Sequence, residues 1–155
     1  MRVKVREALE SDLPRILSVY RESGLDVDRA LDLEAARSLF RRIASYPSYR
    51  VFVAEADGQV VGTFALLVMD NLANGGAPSG VVEDVAVPRA LQGRGIGRAM
   101  MGFARDECRR HGCYKMLLSS NRMRPDAHAF YEALGFTRHG YSFRVELEGA
   151  ADTGD

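Results

Sequence analysis

Gln92, Gly93, Gly95 and Gly97 stand at spacings that favour chemistry on an anion. The run Gln92-Gly93-Arg94-Gly95-Ile96-Gly97-Arg98 follows an apolar stretch, Val81-Val82-Glu83-Asp84-Val85-Ala86-Val87, and opens into an amphipathic pattern. A strand would therefore feed a glycine-rich turn at the start of a helix. Alternate glycines clear the side chains that would hold a ligand off the backbone. The N–H groups can then converge on a phosphate at the positive end of the helix. Arg94 and Arg98 add full positive charge. Two familiar phosphate sites do not fit. There is no Gly-Lys-Ser/Thr ending for a nucleotide P-loop, and the glycines read G-x-G-x-G, not the G-x-G-x-x-G of a dinucleotide fold. A phosphate or pyrophosphate cradle of another kind is expected.

The spacing Gln92-x-x-Gly95-x-Gly97 resembles the acetyl-CoA signature of the GNAT superfamily of N-acetyltransferases, Q/R-x-x-G-x-G/A. The likeness continues downstream. His128-Ala129-Phe130-Tyr131-Glu132-Ala133-Leu134-Gly135-Phe136 is similar to that superfamily's closing helix, A-x-x-F-Y-x-x-x-G-F. Gly112 to Leu118 and the Val-Glu-Asp-Val strand are locally similar to the glucosamine-phosphate N-acetyltransferase branch. Together these motifs span about residues 51 to 143, in order. The branch's sugar-phosphate contacts are not recognisable in Asn121 to Asp126, so the acceptor does not carry over.

The resemblance implies acetyl-CoA as co-substrate and direct transfer of its acetyl group to a primary amine in a ternary complex. Gln92 and the N–H groups from Gly93 through Arg94, Gly95, Ile96 and Gly97 to Arg98 would hold the pyrophosphate. The backbone of Val85, Ala86 and Val87 would pair with the pantetheine amides, a form of β-augmentation, and Asn121 would bind the same arm. The chemistry makes two further demands. An alkyl ammonium has a pKa of about 10.4 and must lose a proton before it can attack. The departing thiolate needs a proton or a hydrogen bond, and a phenol suits that task. The family motif puts this phenol at Tyr131. Periodicity alone makes Tyr131 a packing residue, since Ala127, Phe130, Tyr131 and Leu134 share one helix face. Tyr114 and Tyr141 are the competing phenols.

Glu83 and Asp84 are the candidate bases, with Glu83 preferred. Neighbouring strand residues face opposite sides, so only one should reach the site unless a bulge intervenes. A water chain or a backbone carbonyl remains an alternative. Cys108 falls on an apolar helix face and Cys113 lies away from the cradle, so no acyl-enzyme is expected. His111, His128 and His139 lack metal-site spacing with cysteines or carboxylates, so no metal is expected. Glu22, Asp26, Asp28 and Asp32 form an acidic segment that would attract a cationic amine, or simply face solvent. Small amines and amino sugars are the favoured acceptors. A protein N-terminus or lysine is an alternative acceptor, and a non-catalytic acetyl-CoA sensor is a rival of another class.

Positioning these groups requires one α/β domain. The 155 residues are 46% hydrophobic, enough for one core, and the expected domain covers residues 1–148 with 149–155 as a frayed tail. Lys plus Arg and Asp plus Glu each total 21, which argues against a nucleic-acid partner. No run approaches the ~18 apolar residues of a membrane helix, and residues 1–6 lack the apolar core of a signal peptide. With two cysteines only, a cytoplasmic location is expected. A strand in which Val3 and Val5 alternate with Lys4 and Arg6 should lead to a helix capped by Ser11, with Leu13, Ile16, Leu17 and Tyr20 inward. A second helix should follow Asp32, burying Ala36, Leu39, Phe40 and Ile43. Asp57-Gly58 signals a hairpin between strands 50–56 and 59–69. A loop covers residues 70–80. The cradle helix stops at Gly112, a strand spans 115–120, Pro125 opens a helix that Gly135 ends, and residues 141–147 form a last strand. The expected fold is a GNAT-like mixed sheet, one strand splayed, flanked by helices. A homodimer through the exposed sheet edge near the last strand is also expected.

Overall fold

The computed structural model describes residues 1–25 and 31–147. They fall into two compact units, Met1–Leu118 and the remainder from Ser119 onward, and each is described by itself.

The first unit is a five-stranded mixed sheet with strands in chain order, β1 to β5. β1 (Lys4–Glu7), β2 (Tyr49–Ala56), β3 (Gln59–Met69) and β4 (Ser79–Ala86) pair antiparallel in succession, and β5 (Lys115–Leu117) runs parallel to β4. The β2–β3 hairpin turns on Asp57 and Gly58, both at positive φ (51° and 75°), the twist a two-residue hairpin needs. β3 is buried over most of its length because both its neighbours and both its faces are covered.

Cross-strand register sorts the two faces. Tyr49, Leu67 and Val81 share a row, as do Val51, Ala65 and Glu83, so Tyr49 and Glu83 lie on one face. That face carries a core of Leu13, Ile16, Val19, Ala36, Val53 and Ala86, with Phe40 and Val51 packed around it. It is covered by α1 (Leu13–Ser23) and α2 (Leu33–Ala44). The opposite face holds Phe52, Phe64 and Leu66 under α3 (Ile96–Arg110), whose Ile96, Met100, Met101, Ala104 and Cys108 are buried. Phe52 stacks on Phe64 and meets Phe103 of α3 at ring-centroid distances of 5.2 Å.

Local signals were mostly those the sequence carries: β5 stops at Leu117, short of the expected Ser120, and β4 starts at Ser79, within the expected loop. Three corrections go further. Ser11 does not cap α1. It sits in a short 3-10 turn, and Asp12 occupies the cap position. The Asp12 carboxylate accepts the Leu9 N–H at 2.7 Å and pairs with Arg6. That carboxylate makes no cap bond to α1, which Pro14 near its start helps to begin. Leu39 of α2 is exposed, whereas Asp32 caps the helix as expected by accepting from Ala35 N at 2.9 Å. The third correction belongs to the second unit. Its helix α4 (Pro125–Ala133) is present and ends before Gly135, at φ 91°. Residues 141–147, expected as a strand, join no sheet: Tyr141, Phe143, Val145 and Leu147 are 92%, 94%, 78% and 71% exposed. Their alternation is the pattern of a strand, but a strand exists only where a partner supplies the ladder. The expected tail at 149–155 lies outside the described residues.

Candidate active site

β4 carries an irregularity at its centre. Ala65 pairs with Glu83 while Thr63 pairs with Ala86, so β4 holds one residue more than β3 between those rungs. The extra residue forms a bulge, and Asp84 there takes φ 52°, a backbone state that Asp and Asn tolerate better than most residues. The bulge removes the alternation that would separate Glu83 from Asp84. Both carboxylates act on the phenol of Tyr49, which is pushed up by burial and then by Asp84 and Glu83. Burial raises Asp84, and burial with the charge of Asp84 raises Glu83. Both side chains nevertheless remain open to solvent. A carboxylate with a raised proton affinity that solvent can still reach suits a base.

Tyr49 stacks on Tyr46, with ring centroids 6.3 Å apart and planes 17° off parallel. Arg50, next to Tyr49 in sequence, is committed elsewhere. Its Nη1 donates to the carbonyls of Tyr46 and Tyr49 at 2.8 and 2.7 Å, and its Nε pairs with Glu7 at 3.4 Å. Among the described residues, no Lys or Arg forms an ion pair with Glu83 or Asp84.

Among the described residues, β4 has no partner on the β5 side beyond Val81, because the parallel pairing covers only Ser79–Val81. The two strands thus part just before the bulge, which is the splay expected for this sheet, and Val85 and Ala86 lie on the unpaired stretch. Val87 follows, and its carbonyl accepts from Gln92 Nε2 at 3.2 Å. This contact ties the glycine turn back to the end of β4.

The turn itself is built for close approach. Gly93 and Gly95 adopt φ 76° and 84°, and a Cβ added at either would meet no protein atom within 4 Å. Glycine is required there by the left-handed backbone, and the space before it is open. Gly95 is the N-cap of α3, without a side-chain cap, and the first helical bond is Ala99 N to Gly95 O at 3.0 Å. The N–H groups of Ile96, Gly97 and Arg98 therefore have no partner in the helix, and they head a helix dipole. Arg94 and Arg98 belong to the same segment. An anion fits this end.

In the second unit, Tyr131 contacts Phe130 and Phe136 edge-on at ring-centroid distances of 5.1 and 5.6 Å. Burial pushes its phenol up, with Arg124 acting in the opposite direction. Asn121 Oδ1 accepts from Met123 N at 2.8 Å, the geometry of a turn residue, and its carbonyl meets His128 Nε2 at 2.8 Å.

The remaining candidates have structural employment. Glu22 pairs with Arg15 at 2.5 Å and Asp32 caps α2, while Asp26 and Asp28 lie outside the described residues. Tyr114 Oη accepts from Asn74 Nδ2 at 3.0 Å. Tyr141 is almost wholly exposed. Cys108 is buried and its thiol is pushed up to about 12, by burial first and then by Cys113, which makes a poor nucleophile. No metal-binding group of three or more His, Cys, Asp or Glu occurs among the described residues. Tyr49 escaped the sequence reading because a tyrosine at a strand start looks like packing. Only the register puts it on the face of Glu83, with Tyr46 stacked on it.

Comparison with known proteins identifies the family and the fold. A model of the acetyltransferase (GNAT) family matches residues 12–136. A glucosamine 6-phosphate N-acetyltransferase from Trypanosoma brucei brucei is 35% identical over 99 residues, 63% of this chain and 65% of that protein. The match therefore spans just under two thirds of that relative's length. An aminoalkylphosphonate N-acetyltransferase from Salmonella typhimurium is 30% identical over 144 residues, covering 93% of this chain and 91% of the relative. A solved chain from Agrobacterium tumefaciens superposes with a TM-score of 0.87 at 32% identity, covering 93% of this chain and 99% of that one.

Proposed function

Because the chain belongs to the acetyltransferase (GNAT) family, we propose that it is an acetyl-CoA-dependent N-acetyltransferase that acts on a primary amine. The observation that carries this reading is the join between β4 and α3. A bulged strand with one open edge runs through a left-handed glycine turn into an uncapped helix N-terminus.

Acetyl-CoA supplies an activated acyl group. Gly93, Arg94, Gly95, Ile96, Gly97 and Arg98 would hold its pyrophosphate, with Gln92 bracing the turn. The open stretch at Val85, Ala86 and Val87 would pair with its pantetheine amides, and Asn121 would contact the same arm. Glu83 removes a proton from the acceptor ammonium. The freed lone pair attacks the thioester carbonyl, a C–N bond forms and the C–S bond breaks. The sulfur leaves with the electron pair and takes up a proton donated by Tyr131. The second proton lost by nitrogen restores the balance, so amide, thiol and one proton result.

A small amine or amino sugar is the favoured acceptor. No described helix is long and apolar enough to cross a membrane. We place the protein in a reducing cytoplasm on account of its unbridged thiols, and as a homodimer on account of the exposed apolar row from Tyr141 to Leu147.

Thiol release from acetyl-CoA across a panel of amines tests the activity, with Gly95→Glu alongside. Glutamate there puts a negative charge and a strained left-handed side chain into the cradle. Acetyl-CoA binding, followed by calorimetry, should be lost together with turnover. Tight binding by the wild type without turnover of any amine would favour the sensor reading. Undiminished binding by Gly95→Glu would remove the cradle from the site.

A further inference from the structure

The reaction needs one base, yet the bulge brings two carboxylates to the same tyrosine. The second one has no task in the transfer itself. It also has a cost, because adjacent like charges disfavour one another's ionisation, and the charge of Asp84 does raise Glu83. No described Lys or Arg offsets the pair, and Arg50 is held by two carbonyls and Glu7. Tyr49 shares the face of Glu83, its ring stacks on that of Tyr46, and Tyr46 is 46% exposed. Carboxylates beside a part-exposed aromatic pair suit a cation, through charge and through the ring quadrupole. They do not suit a phosphate or phosphonate, which would be repelled and would find no free cation there.

Building on the proposed acetyltransferase activity, we propose that Asp84, with the Tyr46–Tyr49 ring pair, selects an acceptor carrying a second cationic nitrogen. The acceptor class is a diamine or oligoamine, in preference to an amine that bears phosphate or phosphonate. Glu83 takes the proton from the reacting ammonium while Asp84 holds the other one. The acceptor's second charge then offsets the repulsion between the two carboxylates. This departs from the acceptors named for the Trypanosoma and Salmonella relatives, which carry phosphate and phosphonate.

The test is steady-state kinetics with acetyl-CoA and three acceptors: 1,4-diaminobutane, 1-aminobutane and glucosamine 6-phosphate. In the wild type the diamine should have the highest kcat/KM and glucosamine 6-phosphate the lowest. Asp84→Asn keeps a residue that tolerates φ 52°. Loss of the charged contact should raise KM for the diamine by about ten- to a hundredfold, well beyond any fall in kcat, and should narrow its lead over the monoamine. A preference for glucosamine 6-phosphate, or an unchanged diamine-to-monoamine ratio in the variant, would overturn this selection while leaving the acetyltransferase activity standing. Failure of all three acceptors despite acetyl-CoA binding would overturn the selection, while the wider amine panel decides the acetyltransferase activity. Should Asp84→Asn not fold, judged by its thermal midpoint, the wild-type ranking of the three acceptors still decides.

Discussion

A carboxylate can take a proton from an ammonium at neutral pH more readily when its own proton affinity lies above the usual carboxylate range. Glu83 is in that position, raised by burial and by Asp84. The sign of the pH effect follows. Below its raised pKa, Glu83 is protonated and cannot act as base, so kcat/KM should fall as pH drops through that value. The acid limb should therefore lie at higher pH than for an ordinary carboxylate, and Asp84→Asn should move it down by removing the neighbouring charge. A pH–rate profile of both proteins measures this; coincident limbs would take Glu83 out of the base role. At the other end of the reaction, Tyr131→Phe should leave acetyl-CoA binding intact and slow turnover by ~10²–10⁴-fold, as expected for a lost proton donor. Stopped-flow thiol release at saturating substrate reads it, and full activity in the variant would return Tyr131 to a packing role. At this scale residue types announce chemistry but not orientation. Gln92 was expected on pyrophosphate, and its amide reaches the Val87 carbonyl. Glu22 and Asp32 were candidates for holding an amine, and both are spent on stabilising helices.

The elements were legible wherever their signal was local. The Asp57-Gly58 hairpin, the Asp32 cap, the proline at the start of α4 and the periodicity of α3 can each be read within a few residues. Illegible were features that depend on a partner. The bulge at Asp84 is a mismatch with β3 and has no signature in β4 alone. Residues 141–147 alternate like a strand, but pairing rests on distant chain. Gly80 is a further case. It lies inside β4, where glycine weakens a strand, and a Cβ added there would run into Cys108 Sγ of α3. Gly80→Ala should lower stability by about 1–3 kcal/mol as an overpacked contact. The loss should be smaller in a Cys108→Ala background, because the obstructing sulfur is gone. Urea unfolding of the four proteins in this cycle gives the coupling; strict additivity would mean that the helix shifts at no cost.

Across the molecule, charge is arranged more tellingly than its total suggests. The net charge is zero, yet glycine amides, Arg94 and Arg98 gather at one end of the β4–α3 join while Glu83 and Asp84 occupy the strand before it. An anionic co-substrate and a cationic acceptor would be drawn to opposite ends of one segment. The exposed apolar row Tyr141, Phe143, Val145 and Leu147 bears on assembly. Sedimentation velocity should find a dimer, and Phe143→Asp should yield monomer by placing charge in that row; a monomeric wild type would remove the homodimer.

By itself the sequence determined the family, the glycine turn between β4 and α3 and most of the element order, because turn chemistry, capping and periodicity act over short stretches of chain. Only the tertiary structure decided that Glu83 and Asp84 both act on Tyr49, and that the edge of β4 opens past Val81. Those facts come from register between strands, and register is a property of pairs that no single strand encodes.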